Sequence, residues 1–161
     1  MIEYFLKIDS VPGESRDAHH PDEIEVTSFS WGEATSGSLV GGGGAGGGTA
    51  GKIHVQDFHF SAVTNKASPK LMVLCANGKH LKTAVLTARR GGGGQQEFLK
   101  LTFTDVTISS YNISGTESNV PTDQVSLNFS KVQIDYKPQN ANGSLGAAVH
   151  GGWDVVLNKE F

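Results

Sequence analysis

Apolar and polar residues alternate along most of this chain, and the alternation repeatedly changes phase. Ile2, Tyr4, Leu6 and Ile8 share one phase, with Phe5 alone out of step. Ile24 and Val26 give way to Phe29 and Trp31, and Ile53 and Val55 to Phe58, Phe60 and Ala62. Leu99, Leu101 and Phe103 are followed in the opposite phase by Val106 and Ile108; Val125, Leu127 and Phe129 are followed by Val132, Ile134 and Tyr136. Trp153, Val155 and Leu157 close the chain. A period of two belongs to a strand with one buried face. A one-residue slip would turn that face to solvent, so a bulge, bend or turn must absorb each one. Repeated slips predict long, strongly curved strands. The fold class expected is mainly β, a small closed antiparallel β-barrel rather than a flat open sheet.

One stretch breaks the pattern. In residues 68–78 Ser68 suits an N-cap, Pro69 the first helical position and Gly78 a C-cap. Leu71, Leu74 and Cys75 fall on one face at i, i+3 and i+4. This predicts a single short amphipathic α-helix on the outside of the β structure.

At 161 residues the chain has the length of one domain, able to bury about two-thirds of its unfolded surface. Thirteen Lys and Arg against sixteen Asp and Glu leave a formal charge of -3, which argues against a nucleic-acid partner. A lone Cys75 leaves no intrachain disulfide to form. The first ten residues carry Glu3 and Lys7 within their apolar stretch, so they read as neither signal peptide nor membrane anchor. No apolar run approaches the roughly 18 residues of a membrane span. The expectation is a soluble protein made in a reducing compartment, without membrane insertion.

No motif carries chemistry. Gly46–Lys52 fits G-x-x-x-x-G-K, but Ile53 stands where a Ser or Thr would ligate magnesium, and strand-like alternation follows instead of a helix. Six histidines include no metal-ligand spacing; His19 and His20 are the nearest approach and read as a turn leading into a strand. Gly143-Ser144-Leu145-Gly146 lacks the nucleophile-elbow pattern. Cys75 reads as a buried inert thiol, and Arg89-Arg90 as an exposed strand end. The expectation is no enzyme, no cofactor and no metal.

Several stretches together resemble the Hcp family, the tube proteins of type VI secretion systems. Asp17-Ala18-His19-His20 followed by Glu23–Gly32 is similar to that family's N-terminal block, and Ser68–His80 to its helix and the segment after it. Val106–Gly115 and Val125–Tyr136 resemble its late strands, in the family's order. The resemblance implies one Hcp-like domain over residues 1–161, a barrel with an outer helix related to phage tail-tube proteins. It implies homohexameric rings that stack into a hollow tube inside a contractile sheath. Sheath and spike proteins, and small effectors held in the lumen, would be the partners. It also implies synthesis in the cytoplasm and export by sheath contraction without a signal peptide. The alternative left by composition is a monomeric β-barrel ligand-binding module.

Glycine is concentrated where this chain departs from the family. Of 21 glycines, ten lie in Gly32–Gly51 and four in Gly91–Gly94; the tract Gly41–Gly48 is longer than the resemblance leads one to expect. Strands need only about two to five linking residues, so the 32–51 segment is far longer than a hairpin requires. Folded into two arms of about ten residues it could project about 33 Å. We therefore expect a loop for ring–ring contact. Glu33, Thr35, Ser38, Leu39 and Val40 stand on the outgoing arm, Thr49 and Lys52 on the return, and Leu39 and Val40 are the apolar anchors.

Overall fold

The computed structural model describes residues 1–35, 53–91 and 94–161. It is mainly β with one short helix. The elements are β1 (Ile2–Ile8), β2 (Ile24–Val26), β3 (Ser28–Ser30), β4 (Glu33–Thr35), β5 (Ile53–Val55), β6 (Phe58–Val63), α1 (Ser68–Asn77), β7 (Leu81–Arg90), β8 (Gln96–Thr116), β9 (Asn119–Tyr136), β10 (Val149–Asp154) and β11 (Lys159–Glu160). The main sheet follows the order β11-β10-β9-β8-β7-β1-β2, while β6 pairs with β9 on one side and β3 on the other. Strands β4 and β5 form a separate two-stranded ribbon. All pairings are antiparallel.

The two longest strands are β8 and β9, of 21 and 18 residues, and they carry the phase slips in matched positions. Phe103 faces Val132 and Val106 faces Phe129, so the slip in one strand lies directly across from the slip in the other. At that level Asp105 adopts a positive φ of 55°, and Ser130 donates its hydroxyl to Asp105 Oδ2 at 3.0 Å. Both strands turn their apolar faces together, which keeps Leu101, Phe103, Val106 and Ile108 all buried. A second irregularity between Ile108 and Ser110 shifts the register by one residue.

The core is aromatic at its centre. Phe58 and Phe103 are fully buried with ring centroids 4.7 Å apart, and Phe103 lies 4.7 Å from Phe129. Each such ring withdrawn from water contributes about 1.5–3 kcal/mol. Leu71 and Leu74 of α1 join this core, whereas Cys75 packs against it only partly buried.

The helix begins differently from expectation. Ala67 holds the N-cap position with no side-chain cap bond, and Ser68 is the first helical residue. The Ser68 hydroxyl is taken by a distant partner, the Asp123 carboxylate of β9. Asp123 is 1% exposed and also accepts bonds from Thr64 Oγ1 at 2.8 Å and Tyr111 Oη at 3.0 Å. Burial, and then the Asp123 carboxylate, push the Tyr111 hydroxyl above its ordinary pKa. The C-cap is as expected: Gly78 is left-handed at φ 64°, and its N–H donates to Leu74 O at 3.1 Å.

Candidate functional site

Three places gather polar or exposed side chains. The first is the β4–β5 ribbon. Glu33, Ala34 and Thr35 pair with Val55, His54 and Ile53. Strand β4 therefore runs three residues into the expected loop, and Glu33 and Thr35 are exposed strand residues, not loop residues. Ser38, Leu39, Val40, Thr49 and Lys52 lie outside the described residues. An isolated two-stranded ribbon is marginal in water, so its attachment matters. Gln56 donates its N–H to Gly32 O at 3.0 Å, and Trp31 donates its indole N–H to Gln56 O at 2.9 Å. Below that junction Asp57 accepts bonds from Ser109 Oγ and Asn128 Nδ2. The ribbon thus leaves the sheet from a pinned base.

The second place lies under the segment 13–22, which straps the outer face of β1 and β7. Arg89 is buried there, contrary to the expectation of an exposed strand end. Its Nε and Nη2 donate to Glu3 Oε2 at 3.1 and 2.8 Å; its Nη1 and Nη2 donate to Asp17 Oδ1 and Oδ2 at 3.0 and 2.7 Å. The Arg89 guanidinium, with the backbone N–H groups of His19 and His20, holds the Asp17 carboxyl well below the usual carboxylate range. The Arg89 guanidinium lies over the Phe5 ring at 4.8 Å, and the His20 ring stacks on Phe5 at 4.4 Å. His20 is buried, with Nδ1 2.9 Å from Glu23 Oε2 and Nε2 2.7 Å from Glu97 Oε1. His19 stays exposed. The sequence did carry a trace of this cluster: Phe5, out of phase, is an apolar residue on the solvent side of its strand, and something has to cover it.

The third place is a polar cavity of about 410 Å³ whose walls include Ser28, Ser30, His59, Ser61, Gln124 and Ser126. Here His59 Nδ1 lies 2.6 Å from Ser126 Oγ, but among the described residues no carboxylate bonds to the His59 ring to orient it as a base. Also among the described residues, no group of three or more His, Cys, Asp or Glu is placed to hold a metal. Among the described residues, no helix is long and apolar enough to cross a membrane.

The described residues thus form a mainly β fold with one short helix, a self-paired ribbon and a polar cluster under the strap. Residues 5–136 match the family described as "Type VI secretion system effector, Hcp". Protein hcp1 of Pseudomonas aeruginosa is 44% identical, over 98% of this chain and 97% of its own. A solved structure described as a type six secretion system protein superposes with a TM-score of 0.92 at 29% identity, covering both chains fully. The crystal structure of Hcp1 from Salmonella typhimurium gives 0.80 at 33% identity, over 99% of each chain. The chain belongs to the Hcp family of type VI secretion proteins.

Proposed function

We propose that this chain, as one Hcp-like domain over residues 1–161, is the non-enzymatic structural subunit of a type VI secretion tube. It forms homohexameric rings that stack into a hollow tube, meets sheath and spike proteins, carries small effectors in its lumen, and leaves the cytoplasm by sheath contraction. The observation that carries the reading is the 44% identity over nearly the whole of both chains. The pairing pattern fits it. Strands β2 and β3 are separated only by Thr27, whose N–H and hydroxyl both donate to Ser61 O of β6 at 2.8 and 2.9 Å. Taken as one strand bent at Thr27, they complete a circuit β1–β2/β3–β6–β9–β8–β7–β1, the closed barrel such a subunit needs.

Light scattering on the pure protein should give about six times the 17.0 kDa chain mass, and negative-stain images should show rings with a central hole. A stable species of 17.0 kDa at micromolar concentration overturns the reading. The loop reading, with Glu33, Thr35, Ser38, Leu39, Val40, Thr49 and Lys52 in ring-to-ring contact, has its own test. Thr35 faces Ile53 across the ribbon, so residues 36–52 can be exchanged for an Asn-Gly turn without disturbing the register. Rings should persist while tube formation and secretion fall; unimpaired secretion refutes the loop assignment.

A further inference from the structure

On the face of the sheet opposite the buried Leu101 and Val132, a cavity of about 310 Å³ lies where β8, β9 and the start of β10 run side by side. Its volume is at the lower end of the roughly 300–1,000 Å³ of small-ligand sites. Side chains two apart in a strand share a face, so Phe98 and Lys100 of β8 stand beside Asp135 of β9 and Lys137 just past its end. Lys100 lies opposite Asp135, Asp135 lies opposite His150, and Lys137 donates its N–H to Phe98 O at 2.8 Å. One wall is apolar and braced. The Arg90 guanidinium lies over the Phe98 ring at 4.8 Å and is held in turn by Gln139 Oε1 at 2.9 Å. The acids of the cavity are already engaged. Gln133 Nε2 donates to Asp135 Oδ1 and Oδ2 at 3.0 and 3.1 Å, and His150 Nδ1 bonds the same carboxylate. Glu97 Oε1 lies 2.7 Å from His20 Nε2. The lysines differ: among the described residues neither Lys100 nor Lys137 forms an ion pair. The rest of the chain has no acid to offer them, since residues 36–52 and 92–93 contain no Asp or Glu.

We propose that this cavity binds a carboxylate carried on an apolar body, with the anion between Lys100 and Lys137 and the body packed on Phe98. The two lysines are diagonal neighbours across the strand pair, about 7–8 Å apart at the backbone, so both ammonium groups can reach one anion. A carboxylate supplies what they lack, two acceptor oxygens for two charged donors. The Phe98 ring takes the apolar part on the face that Arg90 leaves open, and the Arg90 charge behind the ring adds to the attraction. All of these groups belong to one chain, so binding requires no assembly. The same chemistry arrives either as a free small acid or as an acidic side chain beside an aromatic one in a partner protein.

The test is saturation-transfer NMR on the whole chain, which observes the ligand whatever the size of the protein assembly. The probe is 3-phenylpropionate, compared with 3-phenylpropionamide, which keeps the shape and loses the charge. The acid should bind at least about tenfold more tightly than the amide, the difference made by hydrogen bonds to a charged group. Its binding should weaken as salt is raised, and that of the amide should not. The double variant Lys100→Gln/Lys137→Gln should lose this preference and Lys100→Arg/Lys137→Arg should keep it. Both side chains are exposed, so both variants should melt as wild type does. Capped Phe-Glu and Phe-Gln dipeptides separate the sources. Tighter binding of Phe-Glu than of the free acid supports the site as a receptor for a partner protein's side chain; the reverse order supports it as a site for a free acid. Equal binding of acid and amide, acid binding unchanged in the glutamine variant, or no binding of either carboxylate probe overturns the proposal.

Discussion

The strap cluster and the ribbon lie in different parts of this molecule and are held in opposite ways. Around Arg89, contacts run between residues far apart in sequence: Glu3 from β1, Asp17 from the strap, Glu97 from β8 through His20. Among the described residues the ribbon strands pair with each other and are tied to the sheet through Trp31, Gly32 and Gln56. The difference separates two jobs. A cluster whose arginine ties β7 to β1 and to the strap fixes the shape of the subunit, whereas a self-paired ribbon can change partners without disturbing that shape.

Four measurements test this contrast. The largest effect on stability is expected from Arg89→Ala, which leaves Asp17 and Glu3 facing each other without their cation. Removing one partner of a buried ion pair costs about 3–5 kcal/mol, and the partial exposure of Glu3 places this case near the lower figure. Urea unfolding reads it directly; a loss below about 1 kcal/mol would mean that the strap is held by packing alone. Next comes Asp123→Ala, which strands the hydroxyls of Thr64, Ser68 and Tyr111. Unsatisfied buried polar groups cost about 1–3 kcal/mol, and hydrogen exchange should locate the loss in the first turn of α1.

A third expectation concerns acid. The folded Asp17 carboxyl titrates below its ordinary value of 3.8 because Arg89 and two backbone N–H groups bind its charged form. Its contribution is therefore complete above that value and is lost as pH falls through the lower folded one. Wild type should lose stability on acidification below about pH 4, and Asp17→Asn should show a flatter profile over the same window. Parallel profiles would remove Asp17 from the account. The smallest effect belongs to the ribbon. Exchanging residues 36–52 for Asn-Gly should leave the subunit no less stable, with a gain of at most about 1–2 kcal/mol from the shorter loop. A marked loss in thermal melting would show that the segment belongs to the subunit's own fold and would erase the contrast.

Local pattern was readable because it depends on neighbours in sequence. Alternation placed the strands, and the α1 face with Gly78 placed the helix and its end. The slips at Phe103/Val106 and Phe129/Val132 announced irregularity in each strand separately, but not that one would lie across from the other. That needs the register of β8 against β9. Of the expected loop residues, Glu33 and Thr35 turned out to be strand because Val55 and Ile53 stand opposite them, a pairing across a segment rich in glycine that no local propensity reports.

What the sequence determined by itself is the mainly β class, the single short helix, the ordered set of stretches that places the chain among the Hcp proteins, and the two glycine-rich segments. These are properties of period, spacing and composition. Tertiary contacts were needed to bury Arg89 between Glu3 and Asp17 and to bring Asp123, rather than a local cap, to the Ser68 hydroxyl. The physical reason is the same in each case. A charge can be buried or a hydroxyl satisfied only with respect to partners that chain folding brings from tens of residues away, and one sequence position carries no mark of which partner will arrive.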